Sequence, residues 1–475
     1  MITSLEIPRH EVQRRLALDN PWWQAGRGID EEERTWPKRA YYAQFSALAR
    51  DRSIRRAVVL MGPRRVGKTV MLHQFVQELI DSGTRGIDIL YISMDTPLYA
   101  GRSIESLYQL FLEAFSHNEN VKPWVIFDEI QYLKEWGLHL KSLVDTYPEA
   151  RFIASGSAAA ALKMQSRESG AGRFTDFMLP PLNFAEFLHF RGSDTVLMRP
   201  LDNEGVIPWA CNDIDALNRE FIDYLNFGGF PEAVLNPTIR GNPGRFLRQD
   251  VVEKVLLKDL PGLYGIGNTQ ELSRFFNVLA FNSGNEVGFE ALSSHSGISK
   301  QKLGEYLEYL EAAYLVKRVH RINDNAQRLQ RERTFKIYLT NPSMRAALFG
   351  NIGANDDAAG SLAETAIWNQ WLHRQDSYSD LHYARWKSGR QDIEVDIVGL
   401  DPGSQRPRFA VEVKWSDRIL DHPEELKGIL ILAEKHTLEE PLIVTTRSAT
   451  SRYVTSDTEL NFIPTAVYCY AIAKE

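Results

Sequence analysis

Gly62, Pro63, Arg64, Arg65, Val66, Gly67, Lys68 and Thr69 fall on the spacing G-x-x-x-x-G-K-[ST], which suits the grip of a polyphosphate. The glycines let backbone N–H groups wrap the phosphates, Lys68 reaches the terminal ones, and Thr69 offers a hydroxyl to Mg²⁺ at a helix N-terminus that already favours anions. Adjacent acids follow at Asp128 and Glu129. Asp128 is expected to hold Mg²⁺ through water, and Glu129 to orient and polarise an attacking water. Ser155 or Ser157 would lie beside the γ-phosphate, and the spacing does not choose between them. Arg173 sits in a small-residue loop, where an arginine lent to a neighbouring subunit would stabilise charge on the phosphate being transferred. Together these residues call for ATP and Mg²⁺.

A second set of chemistry-bearing residues stands near the C-terminus. Asp396 and the triplet Glu412, Val413, Lys414 lie on consecutive strand-like runs, IEVDIVGL and PRFAVEVKW, and Glu364 lies on the helix-like run before them. Two or three carboxylates with one lysine have a use in phosphodiester cleavage. Glu364, Asp396 and Glu412 would hold one or two Mg²⁺ at the scissile phosphate. Lys414 would stabilise the attacking hydroxide and the developing negative charge. Strict alternation assigns Ile393, Val395 and Ile397 to one face and Glu394, Asp396 and Val398 to the other. In the next strand Phe409, Val411, Val413 and Trp415 share a face, opposite Ala410, Glu412 and Lys414. Glu364 has apolar neighbours on more than one side, which argues against simple solvation.

These residues need particular elements to position them. Val58 to Met61 form a buried strand before the phosphate loop, and VMLHQFVQELI forms a helix after it. Further strands are expected at 87–95, 123–131 and 151–157, with Asp128 and Glu129 closing one of them at the sheet edge where ligands bind in parallel folds. From about residue 200 the apolar spacing becomes helical. Arg245 and Arg248 lie there and are expected in surface ion pairs. Residues 271–322 read helix, short helix, turn at Ser296 and Gly297, longer helix, strand, the order of a winged helix-turn-helix. Ser299, Lys300, Gln301 and Lys302 would open its recognition helix. Lys317, Arg318, Arg321, Arg328, Arg331, Arg333 and Lys336 would form a basic patch on DNA phosphates.

The chain has 475 residues, 44% hydrophobic and 25% charged, and a net charge of -7. At about 150 residues per domain, some three domains are expected. The acidic balance excludes a surface that coats nucleic acid by overall charge, so such contact must be local. Cys211 and Cys469 stand far apart without metal-ligand spacing and read as buried small hydrophobes. No signal core or membrane span is legible, and a cytoplasmic setting without a membrane partner is expected.

GPRRVGKT, VIFDEIQ, ASGSAA followed by GAGRF, LPPLNFAEFL and FGGFPEAV, with DNPWW and KRAYY upstream, resemble the AAA-type archaeal and bacterial "ATP-binding protein" family that carries a C-terminal domain of unknown function. Glu364, Asp396, Glu412 and Lys414 likewise look like the PD-(D/E)xK nuclease pattern, with Val395 where that pattern has proline. The resemblance implies an α/β fold with a P-loop AAA-type ATPase in an N-terminal segment spanning 1–195. A helical lid at 196–265, a winged helix at 266–350 and a PD-(D/E)xK nuclease-like α/β domain at 355–475 would follow. It also implies ATP bound between subunits of a homo-oligomer. Two functions are open: an ATP-gated nuclease on DNA rather than RNA, suited to defence or mobile-element control, or an ATP-switched regulator whose nuclease-like domain is inactive. A transcription regulator is a weaker third.

Overall fold

The computed structural model describes residues 8–118, 121–157, 172–201, 206–327, 334–374, 381–436, 438, 440–454 and 458–474. The chain divides into two compact units, Met1–Pro180 and Pro181–Glu475.

Five parallel strands build the first unit: β1 (Ala57–Gly62), β2 (Ile89–Ser93), β3 (Trp124–Asp128), β4 (Arg151–Ser157) and β5 (Phe174–Met178), in the order β2-β3-β4-β1-β5. Apart from a residue at the ends of β2 and β4, the first four are buried along their length, as a parallel sheet covered on both faces requires. Helices Lys68–Asp81, Ile104–Ala114 and Trp136–Thr146 are amphipathic, and the last two pack on a core holding Val59, Leu90, Ile92, Val125 and Phe127.

The edge strand β2 is covered by a side chain rather than a strand. The Asn20 amide donates to the Tyr91 carbonyl at 2.8 Å and accepts from the Tyr91 N–H at 2.7 Å. The indoles of Trp22 and Trp23 both donate to the Ile89 carbonyl, at 3.1 and 2.8 Å. The DNPWW run therefore imitates a pairing strand.

The second unit opens on helix Phe184–Arg191, started by a reciprocal cap between Asn183 and Glu186. Phe184 packs against Phe221 and Tyr224 of helix Ile214–Phe227, both rings 5.3 Å away. That aromatic face explains why Phe184–Arg191 belongs with the second unit, although it precedes residue 195. Strands β6 (Met198–Pro200) and β7 (Trp209–Cys211) pair with each other. Residues 243–264 are continuously helical and include two π-helical stretches, Arg248–Glu253 and Val255–Asp259.

Helices Thr269–Phe281, Phe289–Ser296 and Lys300–Ala312 follow, interleaved with β8 (Glu286–Gly288), β9 (Val316–Val319), β10 (Arg321–Ile322) and β11 (Thr334–Leu339). β8, β11 and β9 form an antiparallel sheet in that order, with β11 central. β10 instead starts a seven-stranded sheet with β12 (Leu381–Ser388), β13 (Gln391–Leu400), β14 (Pro407–Glu412), β15 (Leu442–Thr446), β16 (Ser451–Val454) and β17 (Glu459–Pro464), ordered β10-β12-β13-β14-β15-β17-β16. The last strand of the expected hairpin ends at Glu412, so Lys414 and Trp415 follow it in irregular backbone.

Strict alternation fails in β13. Ala384 pairs with Val395 while His382 pairs with Val398, so one residue on β12, Tyr383, lies opposite two on β13, Asp396 and Ile397. This bulge switches the buried parity, because Ile393 and Val395 before it share a core with Val398 and Leu400 after it. Val398 is thus not on the face expected, and Asp396 lies at the irregularity. Among the described residues, no helix is long and apolar enough to cross a membrane.

Candidate functional site

β1 feeds the loop 62–69 directly into helix Lys68–Asp81. Arg65 and Gly67 take left-handed backbone, φ 63° and 94°, the turns by which a short loop curls round an anion. A Cβ on Gly62 would lie 2.3 Å from the Leu179 carbonyl oxygen, so only glycine fits there. The Lys68 ammonium is buried and donates to the loop's own carbonyls, Gly62 at 3.1 Å and Pro63 at 2.8 Å.

Asp128 closes β3, and its Oδ2 accepts from the Thr69 hydroxyl at 2.7 Å and the Tyr91 hydroxyl at 2.8 Å. Burial, then the Asp128 charge, raises the Tyr91 phenol well above its ordinary range, so it stays a donor. A hydroxyl and a carboxylate side by side at a helix N-terminus are the donor chemistry that Mg²⁺ on a bound nucleotide takes. The Ser155 hydroxyl donates to Asp128 Oδ1 and accepts from the Glu129 N–H at 3.1 Å. The Ser157 hydroxyl is buried and makes no hydrogen bond among the described residues. Glu129 sits at φ 53°, and Gln131 bridges it to β4: its amide donates to the Glu129 carboxylate and accepts from the Ser157 N–H at 3.2 Å.

Tyr91, Gln131 and Arg39 were not legible as site residues from sequence. The buried Arg39 donates to the Val66 carbonyl at 2.6 Å and the Pro180 carbonyl at 2.9 Å, clamping the phosphate loop from outside. Its only sequence signal is its place in KRAYY. Arg173 precedes Phe174, which pairs with Ala57 at the end of β1 remote from Gly62. Its guanidinium donates to Asp145 at 2.5 Å, on the opposite edge of the sheet from the loop.

In the second unit, two of the sequence-predicted acids, Glu364 and Asp396, meet around a residue not assigned to them. Lys336, from the central strand β11, is 3% exposed, and its ammonium lies 2.8 Å from Glu364, 2.6 Å from Glu394 and 3.4 Å from Asp396. Glu364, on helix Ala358–Leu372, also accepts from the Tyr338 hydroxyl at 2.5 Å. Asp396 Oδ2 accepts from the Val413 N–H at 2.8 Å, and the Lys414 ammonium donates to Glu412 Oε1 at 2.6 Å. Thr445 on β15 clamps the Lys414 backbone on both sides, at 2.9 and 3.1 Å.

Burial pushes the Glu364 carboxyl up to about 7 against the pull of Lys336. Burial and then the Asp396 charge push Glu412 up to about 8. Among the described residues Glu412 Oε2 is buried without a hydrogen-bond partner, and with Asp396 beside it this is a hard oxygen donor set that would fit a divalent cation, whose charge would favour the ionised carboxylates. Among the described residues, however, no three His, Cys, Asp or Glu side chains close on one point as a metal-holding group.

The basic patch expected from Lys317 to Lys336 is corrected at Lys336, Arg318 and Arg321. Lys336 is buried in the acid cluster rather than facing DNA. Arg318 pairs with Glu311 at 3.1 Å, and Arg321 donates to the Arg385 carbonyl at 2.9 Å. Lys300 and Lys302 pair with Glu290 and Glu271, at 2.8 and 2.6 Å. Lys317 is exposed, and Arg328, Arg331 and Arg333 lie outside the described residues. Arg248 pairs with Glu253 at 3.0 Å, as expected of a surface helix.

Residues 54–188 match the model of an AAA domain, and residues 218–355 that of a domain of unknown function (DUF8612). The chain is 23% identical to an "uncharacterized protein" of Haemophilus influenzae, over 62% of this chain and 70% of that one. It is 25% identical to the uncharacterized protein MJ1637 of Methanocaldococcus jannaschii over 79% and 80% of the two chains. With MJ1544 of the same organism it shares 26% over 54% of this chain, spanning about half (55%) of that relative. Among solved structures, similarity is found to an S. cerevisiae Hsp104:casein complex (TM-score 0.30, 15% identity, 56% of this chain and 49% of that one). It is also found to the replication initiator DnaA bound to AMPPCP and single-stranded DNA (TM-score 0.27, 14%, 57% and 87%). The AAA match and the loop geometry together support an AAA-type nucleotide-binding ATPase domain in the first unit.

Proposed function

We propose that this chain is an ATP-hydrolysing protein acting on DNA, in which nucleotide state governs a metal-dependent nuclease domain in the second unit. The observation that supports the reading is a buried acid cluster, in which Lys336 joins Glu364 to Asp396 and the Glu412–Lys414 pair lies next to Asp396, in a chain that also holds a complete phosphate loop. Residues 196–265 would act as a helical lid, 266–350 as a winged helix on DNA, and 355–475 as the nuclease-like domain. Three helices interleaved with the β8-β11-β9 sheet support the winged-helix part.

In the ATPase cycle, Lys68 leaves the Gly62 and Pro63 carbonyls for the β- and γ-phosphates, and the loop N–H groups hold the rest. Thr69 and Asp128 would hold Mg²⁺, which supplies charge neutralisation between the phosphates. Glu129, released from Gln131, accepts a proton from the attacking water while Ser157 faces the γ-phosphate. Arg173 would serve the site of a neighbouring copy in a homo-oligomer.

In the nuclease domain, Asp396 and Glu412, with Glu364, would hold a divalent cation that neutralises the scissile phosphate. Lys414 orients the nucleophile and stabilises the charge that develops on the phosphate oxygens. A second reading, an ATP-switched regulator with an inactive nuclease-like domain, is favoured by one contact: the Lys336 ammonium already neutralises Glu364 and Asp396.

The test incubates linear, circular and single-stranded DNA, and RNA, with the protein and Mg²⁺ or Mn²⁺, with and without ATP, beside Lys68→Ala and Asp396→Ala. Cleavage lost in both variants is expected. Cleavage that survives Asp396→Ala removes the assigned site, and cleavage indifferent to Lys68→Ala removes the gating. Intact ATP hydrolysis with no cleavage under any condition selects the regulator.

A further inference from the structure

We infer that Lys336 is the resident counter-ion of the acid cluster, a tethered ammonium occupying the charge position that a divalent cation must take over. The inference rests on the metal-site reading proposed above and adds to it the residue that competes with the metal.

Glu364, Glu394, Asp396 and Glu412 come from one helix and two strands of the large sheet, whereas Lys336 comes from the separate β8-β11-β9 sheet. Its ammonium touches three of these carboxylates at 2.6–3.4 Å while the side chain is 3% exposed. Lys414 serves the fourth, Glu412, at 2.6 Å. Two ammonium groups thus face four acids, and the Arg385 guanidinium, 3.4 Å from Glu394, is shared with Glu286 and Asp392, so positive charge does not exceed negative charge in the cluster. A surface lysine could swing away at little cost, but this one is fixed by a central strand bonded on both sides. Its Nζ also stands 5.5 Å from the Tyr383 ring centroid. A divalent cation drawn to Asp396 and Glu412 would meet an adjacent positive charge and would share Asp396 with it. Buried carboxylates stripped of that ammonium would carry uncompensated charge, which a bound cation relieves.

The experiment measures Mn²⁺ binding calorimetrically on the nucleotide-free full chain, with thermal melting with and without Mn²⁺. It compares wild type, Lys336→Met, Lys336→Gln, Asp396→Asn and the double variant Lys336→Met with Asp396→Asn. The neutral Lys336 variants should bind Mn²⁺ at least about tenfold more tightly than wild type, and the gain should vanish with Asp396→Asn. They should also melt lower than wild type without metal and recover with it. Lys336→Gln keeps a donor for Glu364, so it carries the test should Lys336→Met not fold. Wild type binding as tightly as the Lys336 variants, in a manner lost with Asp396→Asn, overturns the counter-ion inference and leaves the metal site standing. Folded Lys336 variants that bind no Mn²⁺ overturn both.

Discussion

Lys68 donates to the Gly62 and Pro63 carbonyls, so nucleotide phosphates have to draw it off its own loop. Lys68→Ala removes that resting contact and, with it, the phosphate contact proposed for the ammonium, and ATP hydrolysis should fall at least about a hundredfold in a phosphate-release assay. Glu129→Gln should instead keep nucleotide binding, measured with a fluorescent ATP analogue, while hydrolysis drops about 10² to 10⁴-fold. The loop and the Asp128, Glu129 pair were legible because fixed spacing joins residues adjacent in chain. Lys336 was not, since the carboxylates it meets lie 28 to 60 residues further on, and its neighbours in sequence suggested a DNA-facing run. Asp396 does lie in the acid cluster, while Val398, two residues on, was placed on the wrong face, because a bulge leaves no trace in an apolar run.

At the scale of elements, helix Tyr42–Arg50 is tied to helix Lys68–Asp81 through Glu78. Glu78 accepts from the Ser46 hydroxyl at 2.6 Å and from Arg50 at 3.1 Å, with Lys38 at 3.4 Å. Burial raises its carboxyl, but hydrogen bonds from Ser46, Tyr42 and Arg50 and the Lys38 charge outweigh it and hold the group down to about 2. A carboxylate depressed on folding contributes stability above its unfolded value near 4.5, and that contribution is lost as pH falls towards 2. Glu78 is partly solvated, so the screened contribution is about 1 kcal/mol. Glu78→Gln should therefore destabilise at pH 7 and show a shallower loss between pH 4.5 and 2, followed by denaturant titration at each pH. Four of the five strands of the first unit were legible from their apolar runs, and β4 agrees to the residue. The π-helical turns at 248–259 were not, because α and π spacing leave the same apolar pattern over so short a length.

At the scale of the molecule, Arg173 and the phosphate loop occupy opposite edges of one sheet. Within one chain they stay apart, so the role proposed for Arg173 requires a neighbouring copy. Lys68→Ala and Arg173→Ala should each lose hydrolysis alone and recover part of it when mixed, since some interfaces then join an intact loop to an intact arginine. No recovery in the mixture assigns Arg173 to its pairing with Asp145.

The cover that Asn20, Trp22 and Trp23 place over β2 has a consequence for the order in which the chain is made. Synthesis runs from the N-terminus, so the ribosome releases the protector some seventy residues before the edge it protects. The open row of N–H and C=O groups on β2, a template for pairing with any other extended chain, is therefore never presented without its shield already at hand. A chain begun after Trp23 would reverse that sequence of events, and it should fold into the same sheet while clumping during expression.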